Sequence, residues 1–256
     1  MNPTGWVGVA AGLFVGTLAC LEIGYRLGTG KSQNPNLAHE GIAGLEAAVF
    51  ALLGLLLGFS FGGGTSRLEA RRQLIIQEAN AIGTAYLRLD TLAAADQPQM
   101  RHSFREYLDA RLRVYQKLPD MNAVEQELAA ASKIQQVIWS QGVTASRADQ
   151  TQIAARLLLP ALNEMIDVTT SRTVALYTHI PALIFSLLMV VALLSGLVAG
   201  YAMAKRRSRS WLHMLVYALV IAVTIYAVLD IDDPRSGLVR LDAADHALLQ
   251  LRDSIR

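Results

Sequence analysis

Gly41-Ile-Ala-Gly-Leu-Glu46-Ala-Ala-Val-Phe-Ala-Leu-Leu-Gly54-Leu-Leu-Leu-Gly58-Phe59-Ser-Phe61 is a run of 21 residues with a single ionisable group. At about 1.5 Å per residue such a helix covers about 30 Å of hydrocarbon. Three similar runs surround it: Trp6 to Gly24, Pro181 to Ala204 and Trp211 to Leu229. The chain of 256 residues is 53% hydrophobic and only 17% charged, against about 25% in soluble domains. Of its charged side chains, 25 fall between Thr65 and Thr178. This excludes a single soluble globule and predicts an all-α integral membrane protein. Four transmembrane helices are expected, with a helical extramembrane domain between the second and third. The division is helices 1 and 2 in residues 1–64, the helical domain in 65–178, helices 3 and 4 in 179–233 and a tail in 234–256. The first run lacks a basic stretch before it and carries Glu22, so it reads as a retained helix rather than a signal peptide.

The 65–178 region shows helical spacing and no period-two alternation. Leu68, Ile75, Ala79, Ile82, Tyr86 and Leu89 share one helical face. Gly62-Gly63-Gly64 before it reads as a hinge. Gln97-Pro98 starts a second helix, and Leu118-Pro119-Asp120 ends it. A third is expected over about Met121 to Gln141, a turn over Gly142 to Asp149 with Asp149 as N-cap, and a fourth helix through Pro160. The lone Cys20 excludes a disulfide framework, and the net charge of +2 gives no reason to expect nucleic acid. No P-loop, nucleophile elbow, His-Glu-x-x-His or paired cysteine is present, so neither enzyme chemistry nor a cofactor is expected.

The loop Lys205-Arg206-Arg207-Ser208-Arg209 is the densest basic cluster and is expected in the cytoplasm. Counting bases in the short loops puts the helical domain on the other side, although Arg67, Arg71 and Arg72 pull the opposite way.

Four sets of residues carry functional expectations. Small residues recur at packing intervals: Gly8, Gly12, Gly16, Cys20 and Gly24 in the first span, Gly44, Ala47, Ala51, Gly54 and Gly58 in the second, Gly196, Gly200 and Ala204 in the third. They read either as packing within one chain or as a subunit or pore surface. Glu46 reads either as part of an ion pathway or as a carboxylate reaching the headgroups. Asp230, Asp232 and Asp233 at the end of the fourth span read as calcium ligands or as helix-end caps paired with arginines. In the helical domain, Glu78, Asn80 and Arg88 on one helix face Asn163, Glu164, Asp167 and Arg172 on another. These either satisfy one another or frame a ligand site.

Several of these stretches together resemble a known family. Gly54-Leu-Leu-Leu-Gly58-Phe59-Ser60-Phe61 leading to Arg67 and Glu78-Ala-Asn-Ala-Ile-Gly-Thr-Ala-Tyr-Leu-Arg88 are similar to the core signature of the bacterial bestrophin-like domain family. So are Asn163-Glu164 with Arg172, and Asp230-Ile-Asp232-x-Pro234-Arg235-x-Gly237. Asp233 departs from that pattern, which commonly has Arg there. The resemblance spans nearly the whole chain, and its members are membrane proteins of unknown function. Kinship with bestrophins implies a pentameric ion channel in the bacterial inner (plasma) membrane, with inorganic ions, lipid and further copies of the chain as partners. It also implies a cytosolic helical domain, against the charge count. On this reading Gly54, Leu55, Gly58 and Phe59 line a pore, with Leu55 and Phe59 as a hydrophobic gate and Glu46 as a charged ring. The alternative is a non-conducting sensor or scaffold whose helical domain binds a ligand or protein.

Overall fold

Apolar runs without prolines, and amphipathic stretches bounded by Pro and Asp, leave the chain little choice but helix. The computed structural model describes residues 3–29, 35–205, 210–234, 237–239 and 241–255. Among these residues there is no strand. The helices are α1 (Pro3–Thr29), α2 (Pro35–Leu87), α3 (Gln97–Gln116), α4 (Met121–Ala148), α5 (Ile153–Tyr177), α6 (Ala182–Lys205), α7 (Trp211–Asp232) and α8 (Asp242–Ser254), with a 3₁₀ turn at Arg88–Thr91. Four helices are long and apolar enough to cross a membrane. At 53 residues, α2 is about 80 Å long, so only its N-terminal part fits within a hydrocarbon layer. The Lys205–Arg209 cluster lies outside the described residues except for the Lys205 backbone.

The chain divides into two units. The first comprises Met1–Arg67 and His179–Val239. Here α1 packs against both α6 and α7. The α1–α6 contact is backbone to backbone. A Cβ on Gly200 would lie 2.0 Å from the Leu21 carbonyl oxygen, and one on Gly24 2.0 Å from that of Leu197. Only glycine permits this approach, and in lipid such close packing supplies the dispersion that holds helices together. Leu13, Leu188, Val191, Ala192, Ile221, Ile225 and Leu229 fill the interior, joined by Leu53 from α2. The Tyr217 hydroxyl donates to Ser195 Oγ at 2.6 Å, and Ser195 donates to the Ala192 carbonyl, so these polar groups are satisfied inside the bundle. Glu22 pairs with Arg26 one turn on, at 2.8 Å, which neutralises the acidic group of the first span.

The second unit comprises Leu68–Thr178 and Arg240–Arg256. Ile75, Ile82, Leu89, Phe104, Leu108, Leu158 and Leu162 form its core, with Leu248 of α8. The C-terminal segment therefore contributes a helix to this unit. Asp120 caps α4, accepting from the Asn122 and Ala123 amides.

Two glycine readings change. Gly62-Gly63-Gly64 lies inside α2, which runs through it unbroken. Instead a Cβ on Gly64 would press on Ile231 at 3.2 Å, and one on Gly63 on the Arg67 guanidinium at 3.3 Å. Gly142 does not open a turn either. It sits inside α4, where a Cβ would meet Leu162 Cδ1 at 2.7 Å, so its role is close approach to α5. Asp149 ends α4 rather than starting α5 in backbone terms. Its carboxylate nevertheless accepts from Ala154 N at 2.9 Å and Thr151 N at 2.8 Å, capping the helix that follows.

Candidate functional site

Within the apolar part of α2 the glycines meet no neighbour among the described residues. A Cβ on Gly44, Gly54, Gly58 or Gly62 would find no atom within 4 Å among the described residues. Leu55 is 54% and Phe59 71% exposed on the same side of the helix. Leu53, by contrast, is buried in the first unit. Helical spacing explains the split: positions 54, 55, 58 and 59 share one face, while 53 points to another. Glu46 is half-buried near the N-terminal end of this stretch.

In the second unit the polar residues of α2 and α5 divide. Glu78 is 0% exposed, Arg172 4% and Arg111, from α3, 0%. Arg111 Nε donates to Glu78 Oε1 at 2.5 Å, and Arg172 Nη1 donates to Glu78 Oε2. Each carboxylate oxygen thus takes its own guanidinium, tying α2, α3 and α5 at one point. The Arg172 guanidinium lies 3.7 Å from the centre of the Tyr115 ring, and Arg111 Nη2 donates to the Tyr115 hydroxyl at 2.8 Å. Next to it, Tyr107 and Thr169 hydroxyls share a hydrogen bond at 2.8 Å. Burial raises the Glu78 carboxyl, but the two guanidiniums outweigh it and hold the group below the usual carboxylate range. Burial also pushes the Tyr107 phenol up to about 12. Asn80, Asn163, Glu164 and Asp167 lie instead on exposed faces, with Asn163 Nδ2 donating to Asp167 at 2.9 Å. Arg88 donates to the Leu157 carbonyl at 2.6 Å. So the structure joins Glu78 with Arg172, and leaves the other five residues of the expected cluster outside that contact.

Arg111 and Tyr115 are absent from the sequence reading, and a signal for them exists. Phe104, Tyr107, Leu108 and Val114 are core residues of α3, and Arg111 stands at the matching position in that stripe. A charge within an apolar face requires a buried partner.

The carboxylates after α7 do separate work. Asp230 accepts from the Leu238 and Val239 amides at 2.9 and 3.0 Å, folding the chain back after the helix. A Cβ on Gly237 would lie 1.4 Å from Asp230 Oδ1, which explains the glycine there. Asp232 takes Arg67 Nε at 2.9 Å and the Ile180 amide at 3.0 Å, with His179 Nδ1 at 3.6 Å. Asp233 accepts from Trp6 Nε1 at 3.4 Å. Each of these three carboxylates is thus engaged by its own protein donors. Among the described residues no group of three His, Cys, Asp or Glu side chains is placed to hold a metal ion.

The fold has close counterparts. A crystal structure of a membrane protein superposes with TM-score 0.64 at 16% identity, covering 95% of this chain and 97% of that one. Two crystal structures of variants of a bacterial bestrophin homologue from Klebsiella pneumoniae give TM-scores of 0.61 and 0.60, at 14% and 16% identity. They cover 95% and 97% of this chain, and 97% and 98% of theirs. At such identities the likeness is one of fold. No curated protein matches the chain. A model of the bestrophin-like domain matches residues 7–245. With nearly all of the four apolar helices, the Glu78 helix and the Asp230–Gly237 stretch of sequence inside that match, the protein belongs to the bestrophin-like family.

Proposed function

We propose that the protein is a homo-oligomeric ion channel of the bacterial inner membrane, with the exposed face of α2 lining its pore. The observation that carries this reading is the face formed by Gly54, Leu55, Gly58 and Phe59. It is a smooth glycine stripe flanked by large apolar side chains, and among the described residues no neighbour lies within 4 Å of a Cβ on either glycine. Repeated around a symmetry axis, Leu55 and Phe59 form an apolar constriction that gates by dewetting, and Glu46 adds a carboxylate per subunit at the mouth. Family membership supports the same reading, since the bestrophin fold is shared along nearly the whole chain. A pentamer is the expected assembly, the 65–178 region its extramembrane part and the Lys205–Arg209 loop its cytoplasmic side.

The test is mass photometry of the detergent-purified protein, followed by planar-bilayer recording of the same preparation. A closed ring with ion current supports the proposal. Assembly without current under any tested salt or voltage favours the sensor or scaffold reading, and a monomer removes the pore altogether. For sidedness, Ser208→Cys and Gln136→Cys in a Cys20→Ser background are labelled on intact cells with an impermeant thiol reagent. Labelling at 136 alone supports a cytoplasmic loop, and labelling at 208 alone reverses the orientation.

A further inference from the structure

A cavity of about 190 Å³ opens in the second unit between the start of α3 and the C-terminal half of α4. Its polar wall is made by Asp96, Gln99, Ser140, Gln141 and Thr144, and its apolar wall by Met100 and Ala145. The hydroxyl protons of the wall are already committed. Ser140 Oγ donates to the Val137 carbonyl at 2.9 Å, and Thr144 Oγ1 donates to the Ser140 carbonyl at 2.9 Å. Each hydroxyl therefore keeps lone pairs and no proton for a guest. Gln141 Oε1 is buried and accepts no hydrogen bond among the described residues. Asp96 occupies the N-cap position of α3, yet its carboxylate makes no capping bond. No Lys or Arg lines the space.

We propose that this cavity binds a small primary-ammonium compound with a short alkyl chain. An ammonium carries three donors and no acceptor, which complements the Asp96 carboxylate, the Ser140 and Thr144 hydroxyl oxygens and the side-chain carbonyls of Gln99 and Gln141. A hydrated or coordinated divalent cation fits less well, because such ions gather six to eight oxygens with several carboxylates, and the wall supplies one. The volume equals about six water molecules at ~30 Å³ each, room for the ammonium and a chain of a few carbons against Met100 and Ala145. The inference stands apart from the conduction reading, as it uses only residues of the second unit.

The experiment is isothermal titration calorimetry of the detergent-purified full chain with n-butylammonium chloride. Parallel titrations use n-butanol, sodium butyrate and calcium chloride. Asp96 is exposed and makes no ion pair among the described residues, so Asp96→Asn is expected to fold, which a melting curve checks. The expected result is saturable butylammonium binding that weakens at least tenfold in Asp96→Asn and severalfold in Thr144→Val, with no saturable heat from butanol or butyrate. Should Asp96→Asn fail to fold, Thr144→Val decides in its place. Absence of saturable butylammonium binding, equal binding by the variants, equal binding of butanol, or Asp96-dependent calcium binding in place of the amine overturns the proposal.

Discussion

The glycines of α1 and α6 and those of α2 look alike in sequence and differ in what stands across from them. From Gly16 onward the α1 stripe is engaged: Gly24 and Gly200 are pressed against opposing carbonyl oxygens, leaving no room for a methyl group. A Cβ on Gly44, Gly54 or Gly58 would meet no neighbour within 4 Å among the described residues. One stripe is spent on folding the subunit and the other is left over. A second pair repeats the contrast outside the membrane. Glu78 is wholly enclosed between two guanidiniums, whereas Glu164, on the helix that carries Arg172, stands exposed. Residue type and spacing do not separate a surface that is closed within one chain from one that is open to a partner. Only the neighbour across the gap does.

The sharpest way to break this comparison is Gly200→Leu. Its side chain would have to pass through the Leu21 backbone, and overpacking costs about 1–3 kcal/mol even where side chains give way. No folded protein is expected in detergent by size-exclusion chromatography. Normal yield and melting would show that the α1–α6 contact is dispensable.

Glu78→Gln comes next. It removes the negative charge that both buried guanidiniums, Arg111 and Arg172, bond to, and removing one member of a buried ion cluster costs about 3–5 kcal/mol. Chemical denaturation of the wild type and of this variant measures the loss. The pH dependence follows from the same group. Its carboxyl is held below the ordinary value of about 4.3, so its contribution is complete at neutral pH and is lost as the pH falls below that value. The wild type is expected to lose stability on acidification through this range more steeply than Glu78→Gln.

How much of this was readable beforehand varies by mechanism. The four spans follow from composition, because an apolar run of this length satisfies its own backbone in lipid as a helix. The Gln97-Pro98 helix start and the Asp120 cap follow from local chemistry that acts within a turn. Gly142 misled, because glycine signals both a turn and a close approach, and the second depends on Leu162, 20 residues away in the chain. The buried cluster was half legible. Glu78 and Arg172 stood out as polar groups in packed helices, but choosing Arg111 over Arg88 as the other partner required knowing which face of α3 is inside. Asp230, Asp232 and Asp233 read as one acidic site because they are adjacent. In the fold each finds a different protein donor.

Smaller effects sharpen the contrast. Gly54→Ala adds a methyl group where no neighbour lies within 4 Å among the described residues, so the isolated subunit should keep its stability or gain up to about 1 kcal/mol from helix propensity. Any loss should appear only in the oligomer fraction, read by mass photometry. Destabilisation of the monomer would mean that this face is already closed. Glu164→Gln should change stability by no more than about 0.5 kcal/mol, the usual limit for exposed positions, and denaturation side by side with Glu78→Gln checks the pair.

The claim that α2 carries the pore is tested most directly by modification of a cysteine placed on its open face. Gly58→Cys in a Cys20→Ser background is reconstituted in planar bilayers, with Gly8→Cys as the control on an equally open site of α1. A charged, impermeant thiosulfonate should change the current through Gly58→Cys within the recording and leave Gly8→Cys as it was. Current that ignores modification at position 58, or responds equally at position 8, would contradict the assignment of the pore to α2.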